Sequence, residues 1–496
     1  MPVLLGIGDL LSEKNRSRGE ALELVWASTS RPVLKVSADG VGVVSHAGTR
    51  LIADVADAVG LSTAFADALT ASGGTRRRVV HDPGRVLTDV AVMLADGGEA
   101  IGDLAVLRDQ PDVFGAIASV PTAWRVLDSI DERLLGELRQ ARARARERAW
   151  MSRAETGRGL PACEAGGREV PGLVIDLDAT LIVTHSEKEN TAGNYKGGFG
   201  YHPLLAFLDN TGEALAGVLR PGNAGSNTAA DHITVTDAAL AQIPDDQRYG
   251  QPLLVRADGA GASKQWLWHL VDLGTQPGVD LDFSVGFTMT AAVREAIGLL
   301  PEGVWTPAWD DEGYPVEFAD VAELTGILPR LARNGWPPAM RVLVRRERPH
   351  PGAQLNLFEE ANGWRYRCLA TNTPSGQFGW LEARHRAHAR VEDRIRCGKD
   401  TGLGRLPSRQ FNINCVWLEL ALAAADLIAW TQTILLTGDL AKAEPKMLRY
   451  RLLHVAARMT HGQRRTRMRL PANWPWRHQI LAAFHTLAGL PRPMRI

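Results

Sequence analysis

Three acidic residues stand where divalent metals could be held. Asp178 lies in an apolar, strand-like run, LVIDLDATLIV. Asp258 follows a second apolar run, LLVRA, where a Gly-rich turn begins. Glu392 lies in HRAHARVEDRIRCGKD, with His385, His388 and Lys399 at successive spacings of three, four and seven residues. Those spacings place the four side chains on one helical face. Phosphodiester transfer needs an activated oxygen nucleophile and neutral surroundings for the attacking and leaving oxygens. Two divalent ions roughly 4 Å apart supply both, and hard carboxylate oxygens suit Mg²⁺. Arg384, Arg386, Arg390, Arg394 and Arg396 around Glu392 would meet DNA phosphates. The plain alternative is that Glu392 pairs with a cation of its own helix.

The elements that must position these acids follow from patterning. Residues 173–290 predict strands at 173–183, 200–209, 214–220, 253–257 and 282–286, with helices at 227–241 and 263–273. Three strands, a helix, a strand and a helix is the order of a ribonuclease-H-like α/β core. It puts Asp178 on the first, central strand and Asp258 at the end of the fourth. Residues 291–380 turn to short strands and read as a β-rich insertion, with Trp305, Trp309 and Trp336 as candidates for stacking on a flipped base. The core resumes at 381–440 with the Glu392 helix and a long apolar helix.

Residues 1–150 read as a helical DNA-end-binding region. The helix pair around Gln110–Pro121 has helix-turn-helix form, with Thr122, Trp124 and Arg125 opening the second helix. Arg142, Arg144, Arg146 and Arg148 suit a helix lying along phosphates or facing solvent. Residues 151–172 read as a linker.

The chain has 496 residues, 45% hydrophobic and 23% charged, with zero net charge. Its basic residues are unevenly placed: residues 441–496 hold twelve Lys or Arg and one acid, Glu444, an electrostatic footprint for a polyanion. Cys163, Cys368, Cys397 and Cys415 have no zinc-site spacing and read as reduced thiols of a cytoplasmic protein. The N-terminus has no signal-peptide pattern. The run 417–436 is apolar, but Glu419 and Asp426 share one face, which predicts a buried helix rather than a membrane span.

With DLDAT (176–180), YHPLLAFLDNTGEALAGVLRPGN (201–223), LVRADGA (254–260), the Glu392 helix, HDPGRVL (81–87) and ASVPTAWRVL (118–127), the chain resembles DDE transposases of bacterial insertion sequences, of the insertion-sequence 1380 family in group 1. The resemblance runs over most of the chain and rests on the order of motifs rather than on one of them. It implies cut-and-paste transposition on terminal inverted repeats and target DNA, by a homodimer. It also implies that Asp178, Asp258 and Glu392 bind two Mg²⁺, with Mn²⁺ as a substitute. Hairpin-forming relatives carry tyrosine, arginine, glutamate and lysine on the glutamate helix. Here Glu392 and Lys399 match, and His385 and His388 hold the tyrosine and arginine positions. Lys399, His385, His388, Arg390, Arg396 and Arg125 are the expected DNA contacts. Asp176 and Thr180 would support Asp178, although Asp176 competes with it as the ligand. Two other readings remain: a non-catalytic DNA-binding protein derived from a transposase, and a haloacid-dehalogenase-type phosphohydrolase with Asp176 as nucleophile.

Overall fold

The computed structural model describes residues 24–28, 31–70, 80–225, 228–259, 262–328, 331–349, 352–354, 359, 363–462 and 465–491. Gly261, expected in the turn after Asp258, lies outside them, as do Arg464, Arg492 and Arg495 of the basic terminus.

Nine strands form one sheet: β1 (Leu173–Ala179), β2 (Leu204–Leu208), β3 (Ala214–Val218), β4 (Pro252–Ala257), β5 (Asp280–Phe287), β6 (Thr306–Trp309), β7 (Pro315–Glu323), β8 (Arg341–Glu347) and β9 (Arg365–Thr371). Their order is β3-β2-β1-β4-β5-β9-β8-β7-β6. β1, β2 and β3 pair antiparallel, while β4 runs parallel to both β1 and β5. β1, which carries Asp178, is thus central among the first five strands, as expected, and β1, β2 and β4 are buried along most of their length, as near-continuous apolar runs require.

The strands of residues 291–380 extend the same sheet. β9 pairs antiparallel with β5, and β8, β7 and β6 follow outward, so the sheet simply continues. Which strand the segment joins is not legible from short apolar runs, because strand pairing is not written locally.

The longer helices are α1 (Thr49–Ala58), α2 (Leu61–Thr70), α3 (Pro83–Asp96), α4 (Val120–Asp128), α5 (Glu132–Glu155), α6 (Ala229–Leu240), α7 (Lys264–Gly274), α8 (Ala291–Gly298), α9 (Phe378–Arg386), α10 (Arg390–Gly398), α11 (Phe411–Trp430) and α12 (Arg477–Ala488). α3 shows how local signals set the ends. The Asp82 carboxylate accepts from Arg85 N, Pro83 opens the helix, and Gly97 stops it at φ 107°. α11 packs against α3, α5 and β3, tying the N-terminal helices to the sheet. The apolar stretch 411–435 is long and apolar enough to cross a membrane, but 89% of its most apolar window is buried inside the protein.

Arg142 and Arg146 correct one expectation. Neither lies along phosphates or faces solvent; both are buried at the junction of α5, α11 and β3. Arg142 bridges Glu419 (2.7 Å) and Asp426 (2.8 Å), and Arg146 bridges Glu213 (2.7 Å) and Asp426 (2.5 Å). They stand four apart on one face of α5, whereas Arg144 and Arg148 face solvent. The acids that argued against a membrane span are thus the partners of these arginines.

The basic C-terminus is also not a tail. Ala47 N donates to Val455 O and Gly48 N to Leu453 O. A Cβ on Gly48 would sit 1.9 Å from Leu452 O, so only glycine allows this approach. Arg449 is buried and donates to Ala95 O. The segment after 441 therefore completes the N-terminal helical layer.

Candidate active site

The positions of Asp178 and Asp258 follow from strand register. β1 and β4 are parallel neighbours with Arg256 beside Asp176 and Ala257 beside Leu177. The next step along that ladder is Asp258 beside Asp178, at the C-terminal ends of adjacent strands about 4.8 Å apart. Alternation puts Asp176, Asp178, Arg256 and Asp258 on one face. Asp258 and Glu392 line one cleft of about 430 Å³ with His385, His388 and Gly286. Asp178 lies within electrostatic reach of both. Burial first, then the charges of Asp258 and Glu392, push its carboxyl up to about 6, against a hydrogen bond from Ala179 N and the influence of His388. Three acids thus converge on one place. That donor set, all hard oxygens, fits divalent metals such as Mg²⁺.

Asp176 does not share this situation. It is 2% exposed, and its two carboxylate oxygens each take a 2.7 Å bond from Arg256. Burial works to lower the Arg256 pKa, but Asp176 and Asp209 outweigh it and hold the guanidinium firmly charged. A fork-to-fork pair of this kind occupies both carboxylate oxygens of Asp176. Thr180 lies just past β1, with its backbone N–H on Pro203 O.

Arg256 is the residue that sequence reading missed. Besides Asp176 it reaches Asp209 Oδ2 at 2.9 Å and Arg384 O at 2.8 Å. One guanidinium therefore joins β1, the end of β2 and the helix leading to Glu392. Arg390 adds a second clamp, 2.9 Å from Asp209 Oδ2. Only the apolar setting of the Arg in LLVRADGA hinted at burial.

Gly286 was missed as well. A Cβ there would lie 2.5 Å from Gly259 N, so glycine on β5 is what lets the turn after Asp258 lie close.

The Glu392 segment is not one straight helix. α9 ends at Arg386, a 3₁₀ turn spans Ala387–Ala389, and α10 begins at Arg390. The expected companions nevertheless gather beside it. His388 is buried, and its Nε2 donates to Leu177 O at 3.0 Å, anchoring the turn to β1. His385 Nδ1 lies 3.1 Å from Ser284 Oγ. Burial, then His388 and Arg256, push the His385 imidazole down to about 3, so it is neutral and carries no charge for a phosphate. Lys399 Nζ donates to Leu181 O at 3.2 Å and feels Asp178; burial, then Lys196, lowers its pKa. That places exposed Lys196 in the same neighbourhood, a cation the sequence did not single out. Arg396 is exposed and held by Glu444 (2.8 Å) and Asp393 (3.1 Å). Arg125 is exposed on α4, its guanidinium on Pro121 O and Thr122 Oγ1. The helix before it, Pro111–Phe114, is a single turn, and Trp124 packs toward the core. Trp336 lies 5.1 Å from the ring of Phe287, which lines the cleft. Trp305 stacks under Arg346 and Trp309 under Arg168.

His46, Asp96 and His454 bring their ligand atoms within 4.8 Å of one another. They form a hydrogen-bonded clasp between α3 and the C-terminal segment, with Asp96 2.7 Å from His46 and 3.1 Å from His454.

The family model described as transposase DDE domain, group 1, matches residues 27–492. The chain belongs to the DDE transposases. No curated protein matches this transposase chain significantly. Among solved structures, it is similar to a piggyBac transposase in a synaptic complex with hairpin DNA. That likeness has a TM-score of 0.40 at 10% identity, over 82% of this chain and 79% of that one.

Proposed function

We propose that this transposase cuts DNA at the ends of an insertion sequence and joins them to target DNA, with a ribonuclease-H-like core as its catalytic domain. The observation that carries the reading is the register of β1 and β4. It sets Asp178 beside Asp258 at a cleft that Glu392 also lines. These three residues would hold two Mg²⁺, or Mn²⁺, which when bound activate the attacking oxygen and offset charge on the scissile phosphate. The chain's own part is to hold the acids in place. Arg256 and Arg390 clamp the Glu392 segment to the strand ends through Asp176 and Asp209. Lys399 and Lys196 supply positive charge on the Asp178 side, where a phosphate would lie. Terminal inverted repeats, a homodimeric complex and a cytoplasmic setting belong to the same reading.

The test is a cleavage assay on a duplex carrying the element's end, with Mg²⁺. Asp178→Asn, Asp258→Asn and Glu392→Gln should each abolish nicking and strand transfer while duplex binding persists. Near-normal cutting by the Glu392→Gln protein would sink the assignment. The dehalogenase-type reading is disfavoured by the Asp176–Arg256 pair, and it predicts phosphatase activity that Asp176→Asn removes.

A further inference from the structure

The C-terminal segment carries a two-stranded ribbon, Ala457–Gly462 against Arg465–Arg469, whose first strand also pairs with Val43–Val44 of the N-terminal region. In this antiparallel ladder Arg458 faces Arg469, Thr460 faces Arg467 and Gly462 faces Arg465. Directly opposed residues project to the same side, so Arg458, Arg465, Arg467 and Arg469 share one face. All four are exposed, and none forms an ion pair with a described residue. The nearest polar contact is Arg469 Nε to Thr460 Oγ1 at 3.3 Å. The opposite face is anchored: Met459 is buried and Met468 packs on the core.

Arginine directly across from arginine is unfavourable by itself. A charged edge strand guards against aggregation. Four on one face, three of them in a row about 7 Å apart along the strand, form a surface that a line of negative charges would satisfy.

We propose that this arginine face docks on the phosphate backbone of duplex DNA, as a contact separate from the catalytic cleft and independent of base sequence. The proposal rests on the transposase reading and adds a located binding surface to it. Rigid fixation on the N-terminal helical layer makes the ribbon a fixed shelf rather than a loose basic tail.

The test is fluorescence anisotropy of the full-length protein on a 30-base-pair duplex across a salt series, with end-containing and random sequences. Each neutralised phosphate contributes about 0.9 to the slope of log affinity against log salt. Changing all four arginines to glutamine should lower that slope by about 3.6 on both duplexes and leave their affinity ratio unchanged. Single changes, Arg467→Gln and Arg469→Gln, should each remove about 0.9, which keeps the test valid if the quadruple variant misfolds. An unchanged slope in folded variants overturns the proposal, including the case in which the face serves an acidic protein partner. A changed affinity ratio overturns sequence independence. Wild-type protein that binds no duplex at all would instead reject the transposase reading itself.

Discussion

Asp178 and Asp176 show how two like residues, two apart on one strand, acquire different chemistry. Asp176 has Arg256 against both oxygens, and Asp178 has two other carboxyl groups for neighbours. The raised Asp178 pKa has a definite sign. The folded, metal-free protein keeps a proton on Asp178 up to about pH 6 that the unfolded chain has already released. Its charge therefore costs stability above pH 6, and that cost fades as the pH falls through 6. Asp178→Asn should raise the Tm of the metal-free protein at pH 7.5 and change it little at pH 4.5. Mg²⁺ should raise the wild-type Tm at pH 7.5 and do so much less at pH 5, where a proton must first be displaced. Thermal melts across pH, with and without Mg²⁺, check both signs. Gly286→Ala is a second test at this scale. Its methyl would push against Gly259 and shift Asp258, so cleavage should fall by about 10²-fold with little loss of duplex binding.

Among elements, the junction of α5, α11 and β3 matters most. Two buried arginines and three buried acids satisfy one another there, and Asp426 also accepts from Ala214 N at 2.9 Å. Removing one member leaves an uncompensated charge in the interior. Arg146→Met should cost about 3–5 kcal/mol, whereas exposed Arg144→Gln on the same helix should stay within about 0.5 kcal/mol. Urea denaturation of the two variants separates a structural network from a phosphate-binding helix. Equal, small effects would contradict the buried role.

For the whole molecule, the first and last parts of the chain fold together. Leu448, Leu452, Leu453 and Ile480 are buried in the same core as α1 and α3. Against the effect of burial, hydrogen bonds from His454, His46 and Thr49 hold the Asp96 carboxyl well below the usual carboxylate range across that seam. Deleting 441–496 should therefore do more than reduce DNA affinity. It should unfold or aggregate the N-terminal helical layer, seen as lost helical circular dichroism and a shifted gel-filtration profile. A soluble, well-folded truncation would show that the seam is dispensable.

Local pattern in the sequence was enough to indicate the five strands of the first sheet half and the α6 and α7 helices, because apolar runs and turn residues record burial and chain reversal within a few positions. The order of motifs was enough to indicate the family. Pairing between distant segments was not legible. That β9 joins β5, that Val43–Val44 pairs with residue 457 onward, and that Arg142 and Arg146 meet Glu419 and Asp426 depend on which surfaces meet in three dimensions. An arginine looks the same in sequence whether a buried acid, a phosphate or water waits for it. Only tertiary structure assigned Arg256 to Asp176 and left Arg458, Arg465, Arg467 and Arg469 without an acidic partner among the described residues.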